Sequence, residues 1–185
     1  MSGRPAPILV IGIGNPSRGD DALGPLALER LAALELPDVE LLADFQLQVE
    51  HALDLEGRRE VIFIDASVAA AAPFEFGPVA PAADASATTH ALSPAAVLDT
   101  YRRVIGVPPP ARVLAIRGQA FELGDPLSAR AAKHLDLAVA MLAQRLRQQV
   151  DRGDPASPVR ADDTASGTRR GRCAGLRPTS ESAVG

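Results

Sequence analysis

The sequence predicts an α/β fold: a three-layer sandwich in which a mostly parallel, twisted sheet of about five strands carries helices on both faces. Three observations predict it. Short β-branched and apolar runs recur at residues 7–13, 39–43, 60–66 and 112–116, segments of helical periodicity lie between them, and turn clusters such as Gly14-Asn15-Pro16 separate the two. Strands that alternate with helices pair in parallel through right-handed crossovers.

The run at residues 7–13 is apolar without alternation, the pattern of a strand covered on both faces. It ends in Gly12-Ile13-Gly14-Asn15-Pro16-Ser17, which predicts a long loop. Between residues 25 and 34, Leu26, Leu31 and Leu34 share a helical stripe with Ala27 beside it, giving the first crossover helix after the Leu23-Gly24 break. Residues 39–43 form a second strand. Residues 49–55, with Ala52 and Leu53 on one face, form a second helix stopped near Gly57.

Glu60-Val61-Ile62-Phe63-Ile64-Asp65-Ala66 is the clearest strand, and it places Asp65 at its carboxyl end. Phe74, Phe76 and Val79 alternate within an Ala- and Pro-rich stretch, residues 69–87, which predicts a short extra strand of undetermined edge and direction. Ser93-Pro94 starts a helix that runs to about Gly106, with Ser at the N-cap and Pro in the first turn. Residues 112–116 form the last buried strand. A loop over residues 118–125 leads to a long helix from Asp125 or Ser128 to Gln149.

The 185 residues suffice for one domain, expected at residues 7–149 after a short tail at residues 1–6. Beyond residue 149, Pro, Gly, Ser, Thr, Arg and Asp replace the apolar periodicity, so residues 150–185 are expected to be a disordered tail. The net charge of −4 is spread over interspersed acids and bases, and Trp is absent, which disfavours a nucleic-acid partner. Cys173 is the only cysteine, so neither an internal disulfide nor a thiolate metal cluster forms within one chain. That fits a reducing cytoplasm. The apolar run at residues 8–13 is too short to span a membrane, and no membrane association is expected.

In an open parallel sheet, functional groups gather at the carboxyl ends of the strands. Asp20-Asp21, Asp65 and His90 all fall there. Two carboxylates and an imidazole from separate loops make an incomplete coordination sphere for a borderline divalent metal. Each residue also has an ordinary role available: Asp20 and Asp21 as helix-start acids, Asp65 as a turn former, His90 as a loop histidine. His51 and His134 lie in predicted helices and read as structural or surface residues. Gly12-x-Gly14 invites a dinucleotide site, but Ser17 stands where the third glycine belongs and only Asp44 is offered for the ribose. Gly-x-Gly-Asn-Pro also opens the peptidyl-tRNA hydrolase pattern, yet no histidine follows before His51.

The longer segment Ile11-Gly12-Ile13-Gly14-Asn15-Pro16-Ser17-Arg18-Gly19-Asp20-Asp21-Ala22-Leu23-Gly24-Pro25 closely resembles the opening signature of the NiFe-hydrogenase maturation proteases. Ile62-Phe63-Ile64-Asp65-Ala66, Thr89-His90-Ala91-Leu92-Ser93-Pro94 and Gly118-Gln119-Ala120-Phe121-Glu122-Leu123-Gly124 follow in the order that family has. The resemblance covers residues 7–149. It implies an aspartic-type endopeptidase that removes a C-terminal extension from the hydrogenase large-subunit precursor, with nickel carried by that precursor as the cofactor.

The metal-contacting and catalytic trio it implies falls on Asp21, Asp65 and His90. Many members carry Glu where this chain has Asp21, so either the loop approaches more closely or Asp20 shares the role. Asp20 or Asp21 is also the candidate general base, since adjacent acids can push one pKa upward. Asp44-Phe45-Gln46-Leu47-Gln48 departs from the family's glycine-rich segment and is similar to the branch serving soluble, NAD-reducing hydrogenases. No Gly-x-Ser-x-Gly elbow or catalytic cysteine motif occurs in the domain. Two other classes remain open: a nucleotide- or tRNA-acting protein on the same scaffold, and a non-catalytic chaperone that senses nickel on the precursor.

Overall fold

Four apolar runs pair as expected into a parallel sheet, and a fifth strand closes one edge. The computed structural model describes residues 5–83 and 92–152. These lie within one compact unit, Met1–Asp154. The strands are β1 (Ile8–Ile13), β2 (Val39–Asp44), β3 (Glu60–Ser67), β4 (Phe74–Val79) and β5 (Ala111–Arg117), in the spatial order β2-β1-β3-β5-β4. β2, β1, β3 and β5 run parallel, while β4 lies antiparallel to β5. The edge and direction of the extra strand are thereby fixed.

β1 is buried along its whole length because both faces are covered. Ile8 and Val10 pack with Ile62, Ile64 and Leu114 against α1 (Leu23–Ala32) and α4 (Ala129–Arg152). Leu9, Ile11 and Ile13 pack with Phe63 on the other face, against α2 (His51–Asp54) and α3 (Pro94–Val104). Each fully buried Leu, Ile or Phe in these layers contributes roughly 1.5–3 kcal/mol, which is why an unbroken apolar run reads as a central strand.

Three helix boundaries differ from expectation for local reasons. α1 begins at Leu23, two residues early, because Pro25 sits in the first turn, where a missing N–H costs no helical hydrogen bond. α2 is a single turn rather than residues 49–55: Val49 and Leu53 face solvent, so too little apolar surface is buried to hold a longer helix. α4 starts after Ser128, whose hydroxyl accepts the Ala131 N–H, and continues to Arg152.

The amino end of the sheet is closed by a charge cluster centred on Glu60. Glu60, at the start of β3, is 7% exposed and accepts hydrogen bonds from Arg112 (3.1 Å), Arg145 (2.8 Å) and Gln149. Both guanidinium groups lie 5.5 Å from the Phe76 ring centroid. Burial alone would raise the Glu60 carboxyl, but these partners outweigh it and hold the group below its ordinary value.

Candidate active site

At the opposite end of the sheet the carboxyl ends of β1 and β3 lie side by side. The chain leaving β1 turns to α1 on one face, while α3, which follows β3 and β4, covers the other, and such divergence opens a crevice between the two strand ends. A short 3-10 turn, Gly19–Ala22, brings Asp20 and Asp21 to this crevice, and Asp65 arrives directly on β3.

Close backbone packing shapes the first loop. Gly14 has φ of +137°, and a Cβ there would lie 1.9 Å from the Asp21 carbonyl oxygen. A Cβ on Gly24 would lie 2.2 Å from the Ile13 carbonyl oxygen. Both glycines let backbone meet backbone where β1 hands over to α1, and this accounts for them without a phosphate to cradle. With the loop folded back in this way, the Asn15 N–H donates to Asp21 Oδ2 at 2.9 Å.

The two adjacent acids of this turn have different environments. Asp20 is fully buried. Its Oδ2 accepts from the Gln119 N–H (2.8 Å), the Ala120 N–H (3.1 Å) and the Ser128 hydroxyl (3.0 Å), and its Oδ1 accepts from the Ser128 N–H (2.8 Å). Burial pushes its carboxyl upward, but the hydrogen bonds win and hold it below the usual value. A carboxylate so held neither takes a proton readily at neutral pH nor reaches a substrate. This corrects the expectation of Asp20 as a sharer of the site or as the general base. Asp20 instead ties the first loop to residues 118–128, reinforced by Arg18 donating to the Phe121 carbonyl and by the Gly124 N–H donating to the Ser17 carbonyl at 2.8 Å.

Asp21 and Asp65 are half-buried, and Asp65 is pushed up to about 6. The largest cause is burial. The Asp21 carboxylate adds to it, and the Ala66 N–H, donating to Asp65 Oδ1 at 2.8 Å, opposes it. No Lys or Arg is paired with either acid in the described residues, so the Asp21 carboxylate acts on Asp65 without a compensating cation. Such a pair gains from a proton or a metal cation placed between its members. Among the described residues no three of His, Cys, Asp and Glu gather to form a complete metal site. His90, the third member of the sequence-derived trio, lies outside the described residues, as does Cys173.

Two other histidines have structural partners. His134 on α4 shares a 2.8 Å hydrogen bond with the Arg117 carbonyl at the end of β5. His51 is buried and bonds within the segment that follows β2. A cavity of about 380 Å³ beside Asp44 is lined by Gly14, Pro16, Pro25, Ala43 and Phe45, and so reaches the loop that carries Asp21.

No family model and no curated relative matches this chain. Solved structures do. The hydrogenase maturation protease HycI from Thermococcus kodakarensis is 26% identical with a TM-score of 0.62, covering 77% of this chain and 93% of its own. The maturating endopeptidase HybD from E. coli gives the same figures. This chain is similar in sequence and fold to the hydrogenase maturation proteases, which supports a peptidase. An endopeptidase from E. coli solved in solution, 25% identical with a TM-score of 0.60, covers 77% of this chain and 93% of its own. The shared region therefore includes nearly the whole of these maturation proteases. No helix among the described residues is long and apolar enough to cross a membrane.

Proposed function

We propose that this peptidase removes the C-terminal extension from the nickel-loaded large-subunit precursor of a NiFe-hydrogenase, in the cytoplasm, with residues 7–149 as the working domain and residues 150–185 as a dispensable tail. The observation that carries the proposal is the uncompensated Asp21–Asp65 pair at the carboxyl ends of β1 and β3, on a chain similar to maturation endopeptidases.

Nickel enters this scheme as part of the substrate. Asp21, Asp65 and His90 complete the ligand sphere of nickel already held by the precursor, and this contact registers one peptide bond in the crevice. A divalent ion brought there polarises the scissile carbonyl. The chain's own contribution is to hold two carboxylates at fixed places: Asp21 through the Asn15 N–H and Asp65 through the Ala66 N–H. Asp20 does not act on substrate but locks the loop on which Asp21 stands. Asp65, whose carboxyl is pushed up to about 6, is suited to accept a proton near neutral pH. The Asp44-Phe45-Gln46-Leu47-Gln48 segment supports a substrate from the soluble, NAD-reducing branch.

The test is the intact mass of a cognate large-subunit precursor, nickel-loaded and nickel-free, before and after incubation with the protein. Loss of one C-terminal peptide from the nickel-loaded sample alone is expected. Complex formation without a mass change would overturn the peptidase proposal in favour of a chaperone.

A further inference from the structure

His51 is assigned no role by the mechanism above, yet its side chain is 8% exposed and both ring nitrogens face partners. Nδ1 lies 2.9 Å from the Gln48 backbone nitrogen and 3.3 Å from its carbonyl oxygen, and Nε2 lies 3.4 Å from Asp44 Oδ2. One imidazole thus joins the last residue of β2 to the far end of the segment that follows it. That segment is anchored to two other parts of the crevice. The Asp44 carbonyl accepts the Gly14 N–H at 3.1 Å, on the loop that carries Asp21. The buried Leu47 accepts the Leu92 N–H at 2.9 Å, just before α3. Residues 44–48 therefore form a bracket between the β1 loop and the entry to α3, with His51 as its brace.

The outer surface of this bracket is not what a purely structural turn presents. Phe45 is 67% exposed and borders the cavity of about 380 Å³ that also touches Gly14 and Pro16, the residues on either side of Asn15. A large aromatic left in water, on a segment tied down at Asp44, Leu47 and Gln48, is a firmly presented contact for something outside the chain.

We propose that His51 is a positioning residue for substrate capture: it holds the 44–48 bracket, and with it Phe45, at the rim of the Asp21–Asp65 crevice to receive the precursor's polypeptide. This rests on the peptidase reading. Since Asp21 and Asp65 are held by the Asn15 and Ala66 N–H groups, neither of which His51 touches, loss of the brace weakens capture and spares the chemical step.

The test is the steady-state processing of nickel-loaded precursor by full-length His51→Phe, His51→Asn and Phe45→Ala, with thermal unfolding of each. His51→Phe fills the space without either polar contact, so KM is expected to rise about tenfold with kcat little changed. His51→Asn presents an amide oxygen near the place of Nδ1, so it should recover most of that loss. Phe45→Ala should raise KM with no change in thermal stability. If His51→Phe does not fold, the His51→Asn and Phe45→Ala pair decides. A wild-type KM in Phe45→Ala, or kcat and thermal stability falling together at unchanged KM in the His51 variants, would overturn the bracket while leaving the peptidase reading intact. Failure of the wild-type protein to cleave would overturn that reading instead.

Discussion

Glu60 and Asp65 stand five residues apart on one strand, at opposite ends, and meet opposite electrostatic fates. Glu60 is buried among two guanidinium groups and an amide, and its carboxyl lies below the ordinary value. Asp65 is half-buried, under the influence of the Asp21 carboxylate and with the Ala66 N–H to oppose it, and its carboxyl is pushed up to about 6. Where a charge serves the fold, partners surround it; where it is left uncompensated, the fold bears a cost that a ligand or substrate can relieve. The same contrast recurs within two adjacent residues, since Asp20 is saturated with donors and Asp21 accepts one backbone N–H.

The contrast can be broken first at the crevice. Asp21→Asn is expected to lower processing of nickel-loaded precursor by about 100-fold or more while the protein unfolds at an unchanged temperature. Retained processing would remove Asp21 from the site. Asp20→Asn should behave in the opposite way. Both of its oxygens accept protein donors, so an amide NH₂ must face an N–H or O–H, and denaturant unfolding should show a loss of about 2–3 kcal/mol. Equal stability would show that the loop is held by other contacts.

At the amino end, Glu60→Gln should cost roughly 1–3 kcal/mol and leave the kcat of the folded protein unchanged, because the cluster lies across the sheet from the acids. Its pH signature follows from the depressed folded value. The contribution of Glu60 is present above its unfolded pKa, near 4.5, and is lost as pH falls through the lower folded value. A difference curve between wild type and Glu60→Gln that is flat with pH below 5 would contradict this account. The smallest effect is expected at the α4 cap: Ser128→Ala should cost about 1 kcal/mol in thermal or denaturant unfolding.

Most of the layer architecture was legible in the sequence because buried parallel strands leave an unmistakable apolar run. Ile8–Ile13 and Glu60–Ser67 needed no other signal. The antiparallel seat of Phe74–Val79 was not legible, since alternation reports one covered face but not which neighbour pairs with it. Asp20 could not be separated from Asp21 by sequence: both are acids at a helix start, and only the return of residues 118–128, about a hundred positions later, supplies the donors that distinguish them. His51 was read as a helix residue, and its partners at Asp44 and Gln48 depend on a turn too short to show helical periodicity. The resemblance pointed to Asp21 and Asp65. What it did not carry was the raised carboxyl of Asp65, which comes first from burial and then from the Asp21 carboxylate.

The central claim is that Asp65 is kept charged against the interest of the fold. The most direct measurement is the stability of wild type and Asp65→Asn by chemical denaturation from pH 4 to 8 with a chelator present, beside processing of nickel-loaded precursor. Because the folded value of about 6 lies above the unfolded 3.8, the stability supplied by the protonated acid is lost as pH rises through that window. Asp65→Asn should therefore match or exceed wild type above pH 6, by about 1–3 kcal/mol, and process no precursor. An Asp65→Asn protein that is less stable than wild type at pH 7 and still cleaves would contradict the account.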